Sequence, residues 1–149
     1  MFRKIADKLI NRRALTTSSR NCLKEGDTVT LVKTITRQDV LVYADLVNDH
    51  NPVHLGEDGI VHGTLLLGLV SGLMASSLPG PGTILTGLEV RFSEAVPHPA
   101  SVEVRVELGR VRRITRAAFS VENKPTGRVV LSGEAGCLLT REQLQRSKH

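Results

Sequence analysis

The sequence predicts an α+β domain in which a curved antiparallel sheet wraps one central apolar helix. Three observations predict it. Residues 59 to 88 contain no Lys, Arg, Asp or Glu. From residue 83 onward, apolar side chains recur with a period of two, as in a sheet with one wet face. Ahead of both stretches lie one β-branched run and one short amphipathic segment.

A chain of 149 residues is sized for one domain with a proper core. Apolar residues make up 40%, but there are only three Phe, one Tyr and no Trp, so Val, Leu, Ile and Ala must build the core. So few aromatics argue against a base-stacking surface for single-stranded nucleic acid. The net charge of +5 is concentrated at the N-terminus. Residues 1 to 22 carry Arg3, Lys4, Lys8, Arg12, Arg13 and Arg20 against one acid, Asp7, which leaves the rest of the chain neutral. A neutral body does not suggest a general nucleic-acid binder.

In the N-terminal segment Phe2, Ile5, Ala6, Leu9 and Ile10 share one helical face, and Thr16-Thr17-Ser18-Ser19-Arg20 follows. Amphipathic, Arg-rich, Ser-rich and acid-poor is the composition of a mitochondrial presequence. Residues 1–21 are therefore expected to be a targeting segment for the mitochondrial matrix, and residues 22–149 the domain. The two cysteines, Cys22 and Cys137, are far apart and form no CxxC pair, and Cys137 reads as a small core residue. The chain spells no metal or cofactor motif, and none is expected.

Residues 28 to 36, Thr-Val-Thr-Leu-Val-Lys-Thr-Ile-Thr, read as a strand. Thr36 with Asp39 makes an N-cap pattern, after which Val40, Val42, Tyr43, Leu46 and Val47 give a short helix that Asn48 can end. Residues 49 to 59 are then expected as a loop. Ile60 to Leu78 is long enough to span a membrane, but His62, Thr64, three serines and three glycines interrupt it and Pro79-Gly80-Pro81-Gly82 breaks it. A buried helix is the better reading, with Gly63, Gly68 and Gly72 allowing close approach of neighbours. Four strands follow. Their expected inward sets are Leu88, Val90, Phe92; Val102, Val104, Val106, Leu108; Ala117, Phe119, Val121; and Val129, Leu131, Gly133, Ala135, Cys137. Pro97-His98-Pro99 reads as a rigid loop, Lys124-Pro125-Thr126-Gly127 as a hairpin turn, and residues 140 to 149 as a polar, helical or frayed tail. A helix apolar on all sides needs a curved sheet around it, which is the description of a hotdog fold.

The chemistry concentrates in residues 49 to 63, where three of the five histidines fall. Asp49 and His54 flank Asn51-Pro52, and Pro52 restricts both itself and Asn51. A carboxylate and an imidazole on a rigid segment can divide proton transfer, one group acting on carbon and the other on a leaving oxygen. His62-Gly63 opens the apolar helix, whose free N–H groups and dipole suit an oxyanion. His50, Glu57 and Asp58 read as solvent-facing. The arginines at 110, 112, 113 and 116 read first as a solvated hairpin end, and second as a dock for an acidic carrier or for phosphates.

Asp-x-Asn-Pro-x-His at 49 to 54, followed by Ile60-Val61-His62-Gly63, resembles the MaoC-like, R-specific enoyl-thioester hydratases (type-2 hydratases). The likeness to mitochondrial members continues through Pro79-Gly80-Pro81-Gly82 and covers most of residues 24 to 139. It implies a hotdog fold, a homodimer, and reversible dehydration of (3R)-3-hydroxyacyl thioesters to trans-2-enoyl thioesters in fatty acid synthesis. The thioester carrier would be acyl carrier protein or coenzyme A, with the acyl chain along the apolar helix. It further implies a catalytic role for Asp49 and His54, thioester-carbonyl binding by the Gly63 backbone, and substrate contact by Asn51, Val61 and His62. The chain departs from that pattern in carrying Asn48 where Gly often precedes the Asp. It also has only Leu55-Gly56-Glu57-Asp58-Gly59 where such relatives carry a longer segment. The short connection keeps open an acyl-thioester-binding module without chemistry, and the shared fold keeps open a hotdog thioesterase.

Overall fold

The computed structural model describes residues 22–146, so the expected presequence lies outside the described residues. Strand β1 (Thr28–Ile35) leads into helix α1 (Arg37–Val47), a one-turn helix α2 (Pro52–Leu55) and the long helix α3 (Gly63–Ser76). Strands β2 (Ile84–Phe92), β3 (Ala100–Leu108), β4 (Ile114–Asn123) and β5 (Arg128–Leu138) follow, and α4 (Arg141–Arg146) closes the described chain. The five strands form one antiparallel sheet in the order β1-β3-β4-β5-β2. The α+β architecture, with one helix in the hollow of one sheet, is the one expected.

Helix α3 contacts all five strands. Leu66, Val70, Leu73 and Met74 recur at helical spacing on its buried face. They meet Val102, Val104, Val106 and Leu108 of β3, Ala117, Phe119 and Val121 of β4, and Leu131, Ala135 and Cys137 of β5 in one core. Burial pushes the Cys137 thiol above its ordinary pKa, which suits an inert core residue. Gly80 and Gly82 both take positive φ, so the Pro-Gly repeat turns the chain sharply from α3 into β2. Among the described residues no helix is long and apolar enough to cross a membrane.

Helix α1 starts and stops where its sequence directs. The Thr36 hydroxyl accepts from the Asp39 N–H at 3.1 Å, and the Asp39 carboxylate accepts from the Thr36 N–H at 2.8 Å. Asn48 closes the helix at φ 57°, the left-handed geometry that Asn tolerates.

Four expectations about packing need correction. Strand β2 is an edge, so Leu88 and Phe92 are 44% and 54% exposed instead of buried in the chain's own core. In β5 the register shifts opposite Val121 and Glu122, which pair with Leu131 and Val129. The extra residue, Val130, is buried and Val129 faces outward, because a bulge turns two consecutive side chains the same way. Residues 52–55 are a helical turn and not an extended loop, since Pro52 sits where a helix lacks an N–H partner anyway. Finally, Gly63 is approached by Phe92, but open space faces Gly68 and Gly72.

Leu73 is 2% exposed at the middle of the α3–sheet contact. Leu73→Ala is expected to lower the unfolding free energy by about 2–5 kcal/mol, measured by urea titration.

Candidate active site

The site is built where the chain passes from α1 to α3. Immediately after the left-handed Asn48, the Asp49 N–H donates to the Ala44 carbonyl at 3.0 Å, which fixes the turn out of α1. Asp49 Oδ1 accepts from the Asn51 N–H at 3.3 Å, and Asn51 Oδ1 accepts from the Val53 N–H at 3.3 Å. These two bonds shape the entry to α2 and leave Asp49 Oδ2 facing inward.

His54 is the third residue of α2 and its side chain is 12% exposed. Its Nδ1 lies 2.9 Å from the Ile60 carbonyl. A carbonyl only accepts, so Nδ1 carries the proton and Nε2 carries the lone pair. Nε2 points at Asp49 Oδ2, 3.9 Å away. That separation is too long for a hydrogen bond, so Oδ2 and Nε2 are two polar tips facing one another without a direct bond.

His62 joins them from the start of α3. It is 1% exposed, and its Nε2–H donates to the Asp49 carbonyl at 3.2 Å while lying 3.9 Å from Oδ2. Its ring stacks on His54 with centroids 3.7 Å apart, and the Tyr43 ring meets it edge-on at 5.1 Å. The Tyr43 hydroxyl donates to Thr64 Oγ1 at 2.9 Å. His54 is thereby held at Nδ1 and across one ring face, and its remaining freedom is small.

At the first turn of α3, the N–H groups of Gly63 and Thr64 have no acceptor among the described residues. They are free donors at the positive end of the helix dipole. A methyl at Gly63 would sit 2.6 Å from Phe92 Cε1, so the aromatic ring of β2 packs against the Gly63 backbone.

Asp49, His54 and His62 each offer one ligand atom, and all three atoms lie within 4.8 Å of one another. The geometry does not suit a metal. The Nε2 lone pair of His54 is free, but the Nε2 of His62 carries the proton it donates to the Asp49 carbonyl. To ligate through Nε2, His62 would have to give up its bond to Asp49 and move its proton to Nδ1, which is buried with no acceptor. The same groups suit proton transfer: a half-exposed carboxylate, an imidazole of fixed tautomer, and N–H donors close by.

The structure thus brings together Asp49, His54, His62 and, through the chain, Gly63. The side-chain carbonyl of Asn51 caps α2, and Val61 is 4% exposed in the core with its N–H on the Val96 carbonyl. His50 pairs with Asp45 at 2.9 Å on the surface, and Glu57 and Asp58 are exposed, as expected. Arg110, Arg112, Arg113 and Arg116 are exposed, and Arg116 pairs with Glu134 at 2.7 Å. Two further residues lie close by: Phe92, which alternation alone places in the core, and His98, which sits in a Pro-flanked loop with no periodic signal.

The sequence profile of the family described as "MaoC like domain" matches residues 22–128. An "(R)-specific enoyl-CoA hydratase" of Rhodospirillum rubrum is 33% identical over 123 residues, which cover 76% of this chain and 85% of the relative. The structure of the (R)-hydratase from A. caviae involved in PHA biosynthesis superposes with a TM-score of 0.76 at 30% identity, covering 83% of this chain and all of that one. A tomato (Solanum lycopersicum) protein named "3-hydroxyacyl-[acyl-carrier-protein] dehydratase FERN, mitochondrial" is 27% identical over 133 residues, covering 82% of this chain and 81% of the relative.

His62→Ala removes a buried ring, its stack on His54 and the donor to Asp49. It is expected to cost about 2–4 kcal/mol of stability, read from urea unfolding.

Proposed function

The chain belongs to the MaoC-like domain family, and from that premise we propose that it is a hydro-lyase interconverting trans-2-enoyl and (3R)-3-hydroxyacyl thioesters. The observation that carries this reading is the unbonded pair of Asp49 Oδ2 and His54 Nε2, 3.9 Å apart, with His54 held in one tautomer beside free donors at Gly63.

In the hydration direction the thioester carbonyl accepts from the Gly63 N–H, which stabilises charge developing on its oxygen by roughly 3 kcal/mol per donor. Asp49 and His54 hold one water between them. As its oxygen bonds to C3, the pair takes up one of its protons and a proton is returned to C2, so that the pair ends unchanged. Dehydration runs the same steps in reverse, with the α-proton leaving and hydroxide departing as water. Each proton-transfer role is typically worth about 10²- to 10⁴-fold. No cofactor enters these steps.

The substrate is an acyl thioester of acyl carrier protein or coenzyme A, with its chain along α3. A place in mitochondrial fatty acid synthesis is supported by the printed name of the tomato relative and by the basic, acid-poor composition of residues 1–21. Residues 1–21 act in this reading as a presequence for the matrix, and residues 22–149 as the enzyme. A homodimer is supported by the β2 edge. Ile84, Leu88 and Phe92 stay exposed along it, and the α3 face at Gly68 and Gly72 is open.

Two outcomes test the reading. The full chain is expected to hydrate crotonyl-coenzyme A, followed as loss of enoyl absorbance, and Asp49→Asn and His54→Ala are each expected to lower kcat by at least about 10²-fold. Wild-type turnover in both variants overturns the assignment, and release of free thiol without hydration identifies a thioesterase. Light scattering is expected to give a dimer for the wild-type chain and a monomer for Leu88→Lys.

A further inference from the structure

Outside the proposed pair, one buried histidine is tied to the segment that carries His54. His98 is 4% exposed and lies between β2 and β3. Its Nε2 is 2.8 Å from the His54 carbonyl, so Nε2 carries the proton, while Nδ1 is buried without a partner. Its backbone N–H donates to the Gly59 carbonyl at 3.0 Å. One residue therefore grips both ends of the connection 55–59, the side chain at the His54 end and the backbone at the Gly59 end.

Neighbouring bonds extend the grip. The Val61 N–H donates to the Val96 carbonyl at 2.8 Å, and Ile60 bridges to Pro97. Ile60 is the residue whose carbonyl fixes the His54 tautomer. Gly59 passes so close that a methyl there would collide with the His54 carbonyl and lie 2.6 Å from His98 Nε2. The absence of a side chain at Gly59 is thus a condition for the His98–His54 bond. Other bonds hold the neighbouring backbone, the His54 N–H on the Asn51 carbonyl at 3.0 Å, the Ile60 N–H on the Val53 carbonyl at 2.9 Å and Arg37 Nη2 on the Leu55 carbonyl at 3.0 Å, but the His54 carbonyl itself is held by His98.

We propose that His98 is a positioning residue: its imidazole N–H, donated to the His54 carbonyl, sets where His54 Nε2 meets Asp49. This rests on the reading of His54 as a proton-transfer group. His98 itself contacts no reacting atom.

The test compares His98→Leu, which fills the space without a donor, with His98→Gln, whose side-chain N–H can reach the same carbonyl. On crotonyl-coenzyme A, His98→Leu is expected to lower kcat by about 10- to 100-fold, the scale of a small misplacement, with KM changed less than about threefold. His98→Gln is expected to recover kcat to within about threefold of wild type. An independent readout is hydrogen exchange of the His54 Nδ1 proton by NMR, expected to speed up at least about tenfold in His98→Leu while the β3 amides stay protected. Wild-type kcat in His98→Leu overturns the proposal, as does a Gln variant impaired as deeply as the Leu variant. If the unaltered chain has no hydratase activity, the reading of the pair fails, and the exchange measurement still decides whether His98 holds His54. Should His98→Leu not fold, Gly59→Ala strains the same bond from the other side. Wild-type kcat and exchange in that variant overturn the proposal.

Discussion

The structure depends on one constraint, the burial of a helix that has no charged residue. Helix α3 buries Leu66, Val70, Leu73 and Met74 against the sheet, all five strands of which contact it, while its face at Gly68 and Gly72 is open. Hydrophobic burial accounts for the helix body, but it says nothing about the ends. The first turn of any helix keeps N–H groups that the helix cannot satisfy. In α3 those groups fall at Gly63 and Thr64, at the rim of the sheet beside Phe92. The same demand that builds the core therefore leaves a set of oriented donors at one end of it.

The polar part of the site is arranged by short-range bonds. Asp49 is set by the exit from α1, and His54 by the cap of α2 and the Ile60 carbonyl. His62 ties the two by donating to one and stacking on the other. None of these restraints is strong alone, each being worth about 1 kcal/mol net. Their value is geometric. They leave the carboxylate and the imidazole facing one another at 3.9 Å, close enough to share a small group between them.

Much of this was legible in the residues. Every residue that alternation places inward in β3 and β4 is buried, because both strands lie inside the sheet and one face of each meets α3, and the same faces also bury Ala100 and Thr115. Thr36, Asp39 and Asn48 marked the ends of α1 through chemistry confined to one turn. Strand β2 alternates just as well, yet Ile84, Leu88 and Phe92 are exposed while Leu85 and Val90 pack half-buried against the core, because periodicity records a face and not whether that face is covered by the same chain. The bulge at Val130 depends on the partner strand, and a single strand's pattern cannot carry it. At the site, Asp49, His54 and Gly63 stood out by spacing. His98 did not, since its partner is a backbone carbonyl 44 residues away and backbone acceptors leave no mark in a sequence.

The double grip of His98 has a consequence for how such a chain can change over generations. Both ends of the 55–59 connection are fastened to one residue, so the intervening segment is a bubble closed at its neck. Lengthening a closed bubble is cheap, about 0.6 kcal/mol for each doubling. Insertions or deletions there change the exposed stretch Gly56-Glu57-Asp58 while the neck keeps His54 in place. The position is thus a natural point of length variation, at which a lineage can reshape this stretch without disturbing the facing pair of Asp49 and His54.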